Sequence, residues 1–276
     1  MAVITLSTDI GQSDFIIGAL KGQLVSAVPT ANIIDITHQL SPQNYLQAAY
    51  VCSNAFTYYP PGTFHLLLIN FFEHSFKHVL VAEYKEHYII CPENGILTMI
   101  AGTKPENVFA LDIDIDDTGN KGLLTYTKAI TVLIKRIVDG EAIEAICRTV
   151  ETVQEKYPLR ATTSANWIDS HIIFVDNFEN VVVNIKQEEF EEYRRGRRYK
   201  ITFMRNEMIE KLSDNYSSVE QGGKLAWFNS AGYLEIAVNT GNLAGLFGLY
   251  KFSESAAMNN ALQHKLMYQM VRIYFE

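Results

Sequence analysis

The chain has 276 residues, a formal net charge of −8, and 48% hydrophobic against 20% charged residues. That length supports a sizeable core in one large or two modest domains, and the balance is that of a globular chain rather than a disordered one. The acidic surplus excludes a general nucleic-acid binder, which needs Lys and Arg to neutralise phosphate, and no apolar run approaches the ~18 residues of a membrane span.

From the N-terminus, Val3–Ser7 reads as a strand, with no basic segment before it, and TDIGQSD as the polar loop after it. Phe15–Val28 has helical spacing and stops before Pro29; Ile33–Ile36 is a second strand, Asn44–Phe56 a helix and Phe64–Ile69 a third strand. Strands alternating with helices imply an α/β layer whose sheet is largely parallel. Val79–Tyr84 and Tyr88–Cys91 read as a hairpin, which makes that sheet mixed, and Lys128–Asp139 and Ala142–Val153 read as helices. After Pro158 the texture turns β-rich, in HIIFVDNFENVVVNI, YKITF, KLAWFNSAGYLEIAV and LFGLYKF, until helical spacing returns over Ser255–Tyr274. These patterns predict an N-terminal α/β/α domain over 1–160 and a smaller, barrel-like β domain over 161–276. Cys52, Cys91 and Cys147 are odd in number and widely spaced, which fits a reducing cytoplasm better than a disulfide framework. The arginines around Gly196 read as a solvated turn.

Four stretches could carry chemistry. In STDIGQSDF, Asp9 and Asp14 follow the first strand at the carboxyl edge of a parallel sheet, where ligands of such sheets bind. A carboxylate accepts two coplanar hydrogen bonds and suits a vicinal diol; the alternative is that Asp9 caps a helix or holds its loop. LDIDIDDTGN resembles a calcium loop, but Asp117 stands where Gly is needed and Leu123 where Glu is needed, so no metal is expected there. His74 and His78 have helical spacing without the glutamate of a zinc-hydrolase motif. In the second domain Asp176, Asn180 and Ser230 stand at strand ends beside turn residues, where they present polar groups to a ligand or serve the turns alone.

Together STDIG, ALKG, IIDITHQLSPQ, TYYPPGTFH, CPENGILT, FVDNFENVVVNI and NSAGYLEIAVNTGN, in this order up to about Leu249, resemble the S-adenosylmethionine (SAM) hydroxide adenosyltransferases, the family related to the SAM-dependent fluorinases and chlorinases. The resemblance implies SAM as substrate or ligand, no further cofactor, and a homotrimer with sites between the N-domain of one subunit and the C-domain of the next. It assigns Asp9 to the ribose diol, Asp14 and Asp176 to the methionine part, Ser230 to its carboxylate, Asn180 and backbone near Thr240 to the adenine, and Tyr59 to the ribose. The implied reaction is attack at the ribose 5′ carbon with departure of neutral methionine. Members that use water carry an Asp, Arg and His set.

At those positions this chain has Asn70, a residue near Lys77 or His78, and Thr127, followed by Lys128 where a small residue is usual. Asn70 and Thr127 are no bases at neutral pH. Glu73, His74 and His78 are candidates to replace them, and Lys128 to hold an anionic nucleophile. The sequence therefore leads to a SAM hydrolase, yielding adenosine and methionine, with a replaced water-activating set; the alternative is a non-catalytic SAM- or adenosine-binding protein of the same fold.

Overall fold

The computed structural model describes residues 2–71, 76–113, 122–204, 207–247 and 269–276. The chain divides into two compact units, Met1–Pro158 and Leu159–Glu276.

In the first unit the elements run β1 (Val3–Thr8), α1 (Phe15–Ala27), β2 (Asn32–Thr37), α2 (Tyr45–Phe56), β3 (Phe64–Leu68), β4 (His78–Tyr84), β5 (His87–Pro92), α3 (Ile96–Ala101), β6 (Asn107–Asp112), α4 (Leu123–Val138) and β7 (Arg148–Thr149). The sheet order is β2-β1-β3-β5-β4-β6-β7. Strands β1, β2, β3, β5 and β6 run one way, β4 and β7 the other, so the sheet is mixed and largely parallel. Its central strands are buried on both faces. Leu66 and Leu68 pack with Leu20, Leu24, Ile130 and Leu133 of α1 and α4, whereas Leu67 and Ile69 pack with Cys52 and Phe56 of α2 and Ile96 and Leu97 of α3. That is the period of two of a β-strand, and each such leucine contributes ~1.5–3 kcal/mol. Asn44 caps α2 by accepting from Gln47 N–H. On the α2 face His65 stacks on Phe56 with ring centroids 3.7 Å apart and shares a 2.7 Å hydrogen bond with Thr5 Oγ1; His87 lies 5.0 Å away.

The second unit comprises β8 (Thr162–Thr163), β9 (Trp167–Val175), β10 (Val181–Lys186), α5 (Gln187–Arg194), β11 (Tyr199–Met204), β12 (Glu207–Ile209), β13 (Lys224–Phe228), β14 (Tyr233–Val238), α6 (Leu243–Leu246) and β15 (Met270–Phe275). Its antiparallel sheet has the order β12-β11-β15-β9-β10-β14-β13, with β8 on β9, and its end strands β12 and β13 approach each other, leaving a nearly closed barrel.

Three readings need correction. Ala142–Val153 is not a helix: Gly140, at φ 94°, ends the helical run, a single 3-10 turn at Ile143–Ala145 buries Ile143, and β7 follows. The acidic run after Lys186 forms α5, with Phe190 buried, while Arg195 and Gly196 make the expected turn. Around that turn Arg194 and Arg197 lie over the rings of Tyr199 and Phe275. In LFGLYKF, Leu246 closes α6 and residues 248–252 lie outside the described residues. Of Ser255–Tyr274, residues 255–268 are also outside them, and Met270–Phe275 is a strand. Val271, Ile273 and Phe275 are buried there in alternation, a period of two that the apolar spacing also allowed. Among the described residues no helix is long and apolar enough to cross a membrane.

Candidate functional site

The carboxyl edge of the first sheet is built by the ends of β1, β3 and β5. Thr8 pairs with Leu68, so Asp9 and Asn70 leave adjacent strands side by side, and Asn70 N–H donates to Asp9 Oδ2 at 2.7 Å. Asp9 thus holds its loop, as one reading of the sequence had it, while staying half-buried at the edge. The loop is fixed further by Gly11 N–H on His38 O at 2.7 Å and by Thr8 Oγ1 on His38 Nδ1 at 3.0 Å. Asp14 is exposed at the N-cap of α1 and makes no capping bond.

Asn70 has φ 65°, a left-handed conformation that asparagine tolerates, and its Oδ1 is buried without a hydrogen-bond partner among the described residues. Asn94, from CPENGILT, donates to Ile69 O at 3.4 Å and accepts from Ile96 N–H, tying the β5 end to the β3 end. Tyr126 of α4, which the sequence did not single out, contacts both Phe71 and Phe76. Phe71 packs on its ring at 4.9 Å, and Phe76 N–H donates to its hydroxyl at 2.8 Å.

The other first-unit candidates are not brought to Asp9. Tyr59 precedes β3 at the opposite, amino edge and packs edge-on against His65 at 5.6 Å. The length of β3 separates Tyr59 from the edge that carries Asp9. Thr127 is fully buried, its hydroxyl 2.5 Å from Gln23 Oε1 and 3.2 Å from Leu124 O, so it joins α1 to α4. Lys128 is exposed on α4, and Lys77 is exposed before β4. Of the replacement candidates, Glu73 and His74 lie outside the described residues. His78 is held between Glu93, with Nε2 2.7 Å from Oε2, and Arg148, 3.2 Å from Nδ1.

In the second unit, Asp176 and Asn180 are brought together in the β9–β10 turn. Asp176 Oδ1 accepts from Phe178 and Asn180 N–H at 2.8 and 2.9 Å, and its Oδ2 accepts from Asn180 Nδ2 at 3.0 Å. Asn180, only 2% exposed, also donates from Nδ2 to Tyr216 Oη at 3.1 Å. Tyr216 in turn donates to Glu235 Oε1, which also receives Trp227 Nε1 at 3.0 Å, while Asn229 Nδ2 reaches Oε2 at 3.3 Å. Burial and then Glu235 raise the Tyr216 phenol well above its usual range. Ser230, exposed in the β13–β14 turn, is reached by this network only through its neighbour Asn229. Thr240, exposed and at φ 56°, stands at the other end of β14, where Ala244 N–H donates to Glu179 O.

Glu235 and Tyr216 were missed from sequence. In YLEIAV the glutamate reads as the outward residue of an alternating strand; its burial follows from its cross-strand partner Trp227, and that pairing was the available signal. Among the described residues no group of three or more His, Cys, Asp or Glu could hold a metal ion.

The sequence matches two family models, the SAM hydroxide adenosyltransferase N-terminal domain over residues 4–146 and the C-terminal domain over residues 170–254. It is similar to the (R)-S-adenosyl-L-methionine hydrolase of Methanocaldococcus jannaschii, 27% identical over 267 residues, with 90% of this chain and 92% of that protein covered. The protein of the same name from Salinispora tropica is 24% identical, with 89% and 94% covered. Among solved structures, an uncharacterized conserved protein from Thermotoga maritima superposes with a TM-score of 0.78 at 20% identity, covering 99% of this chain and 100% of that one. A conserved hypothetical protein from Thermus thermophilus gives 0.70 at 21% identity, covering 100% and 99%. At such identity these two structures establish the shared fold.

Proposed function

Because the chain belongs to the SAM hydroxide adenosyltransferase family, we propose that it binds SAM and passes the adenosyl group from sulfur to water, yielding adenosine and methionine. The observation that carries this reading is the match to both family domains, joined by relatives named as SAM hydrolases along about nine-tenths of the chain. In this reading Asp9 accepts the ribose diol, and Asp14 and Asp176 face the cationic ammonium and sulfonium groups, where charge-assisted bonds are strongest. Ser230 serves the methionine carboxylate. Asn180 and the backbone near Thr240 serve the adenine.

Water attacks the 5′ carbon in line with the departing sulfur. The new C–O bond forms as the C–S bond breaks, the thioether leaves neutral, and one proton of the attacking water must go elsewhere. Asn70 cannot take it, so the proton passes to solvent or to a replacement base among Glu73, His74 and His78. Alignment and exclusion of competing water then carry the catalysis. A missing base lowers the rate by ~10²–10⁴.

Asn70 also favours the second reading, a protein that binds SAM or adenosine without turnover. One experiment separates the two: purified protein is incubated with SAM beside an Asp9→Ala variant, and adenosine and methionine are separated by chromatography. Equal amounts of both products from the intact protein alone are expected. Unchanged SAM that still raises the melting temperature would establish the binding reading, and unchanged SAM with no thermal shift from either SAM or adenosine would defeat both.

The proposal includes a homotrimer in the cytoplasm. The unpaired, buried state of Cys52, Cys91 and Cys147 supports a reducing compartment. Light scattering at three times the 31.3 kDa chain mass would support the assembly, and a monomer mass would refute it.

A further inference from the structure

The buried network of the second unit fixes the direction of every proton in it. Glu235 is 5% exposed, and three donors converge on it, the pattern of an ionised carboxylate, which can only accept. The single Tyr216 proton is therefore committed to Glu235. The Tyr216 oxygen is left as an acceptor, and the group facing it at 3.1 Å is Asn180 Nδ2. The second hydrogen on that nitrogen goes to Asp176 Oδ2 at 3.0 Å. Both donors of the carboxamide are thus spent inside the protein. Reversing the amide would set its oxygen against a carboxylate oxygen and a hydroxyl with no proton to give.

The geometry points to Glu235 and Tyr216 as positioning residues that hold Asn180 with only its Oδ1 acceptor offered to a ligand, so that the site selects a purine bearing an exocyclic amino group over one bearing an exocyclic oxo group. This inference rests on the reading that Asn180 faces the base. An amino purine gives Oδ1 a hydrogen. An oxo purine sets oxygen against oxygen, and an unmet buried polar group costs as much as a lost hydrogen bond or more. The two positioning residues lie 36 and 55 positions beyond Asn180 in the chain, and neither touches the base in this arrangement.

The test uses adenosine and inosine, which differ in that one group, titrated calorimetrically into the full-length protein and into Glu235→Gln and Tyr216→Phe. The intact protein is expected to prefer adenosine by roughly 10- to 100-fold. In Glu235→Gln the new amide can donate to Tyr216, whose proton is then free to turn toward Asn180, and the preference is expected to fall at least tenfold. Tyr216→Phe removes one acceptor of Asn180 Nδ2 and should lower the ratio as well; it carries the test alone if circular dichroism shows that Glu235→Gln does not fold. Variants that bind both nucleosides more weakly at an unchanged ratio would show a merely structural role and overturn the inference. Equal affinities in the intact protein would overturn the selectivity while leaving the proposed function standing. Failure of the intact protein to bind adenosine, inosine or SAM would overturn that function and this inference with it.

Discussion

Asn70 N–H and Asp9 Oδ2, 2.7 Å apart, join the ends of two parallel strands, so the residue proposed to replace a family carboxylate is held in place by the residue proposed for the ribose. Asn70 sits there at φ 65°. Asn70→Ala should cost about 1 kcal/mol of stability in a denaturant titration, because alanine tolerates left-handed backbone poorly. Asn70→Asp supplies a carboxylate with the bond to Asp9 retained, since that bond comes from the backbone. SAM hydrolysis by this variant should rise, toward the ~10² that a positioned base contributes. A rate no higher than that of the intact protein would show that water does not react beside this position.

Asp9→Asn keeps an acceptor for Asn70 N–H and removes the charge. Bonds to charged groups contribute ~1.5–3 kcal/mol, so SAM affinity should fall by about tenfold or more with little loss of fold stability. SAM at 100 times its Kd should stabilise the intact protein by about 2.7 kcal/mol, and the same concentration should stabilise the variant less. Equal thermal shifts would remove Asp9 from the binding site.

Thr127→Val keeps the shape of the side chain and leaves Gln23 Oε1 without its 2.5 Å partner between α1 and α4. A loss of about 1 kcal/mol in unfolding free energy is expected. A loss below ~0.3 kcal/mol would mean that the bond adds nothing beyond what water supplies to Gln23 in the unfolded chain.

Burial and the neighbouring His87 push the His65 imidazole down to about 3. In the unfolded chain it titrates near ~6.5, so between those values the unfolded state holds the extra proton. The neutral, buried form therefore contributes fully above pH ~6.5, and its contribution is lost as the pH falls toward 3, at up to about 1.4 kcal/mol per pH unit. Denaturant titrations at pH 7, 6, 5 and 4 should show this slope. His65→Gln should flatten it by about one proton, and an unchanged slope would place the acid sensitivity elsewhere.

How far the sequence could be read depended on whether a residue's role lay in its own neighbourhood. The buried run of β3 and the turn chemistry joining Asp176 to Asn180 were visible because both are local. Glu235 was not, because a strand glutamate reads as outward-facing until Trp227 and Tyr216 converge on it from elsewhere in the chain. Tyr59 precedes β3 and Asn70 follows it, so their short separation in the chain crosses the sheet from one edge to the other, which no local pattern announces. Thr127 carried no local sign of Gln23, which lies on another helix. Met270–Phe275 offered apolar spacing compatible with two periods, and the flanking strands decided between them.

Strand β15 lies between β11 and β9, pairing Tyr274 with Trp167 and Phe275 with Tyr199. The hairpins β9–β10, β11–β12 and β13–β14 can each zip up alone, since their strands are sequence neighbours. None of them can join across β9 and β11 until a strand from about a hundred residues downstream is threaded between. Closing so long a loop precedes any reward from the pairing, so the second unit should assemble late and slowly, with the edges of β9 and β11 open to pairing with other chains until that strand arrives.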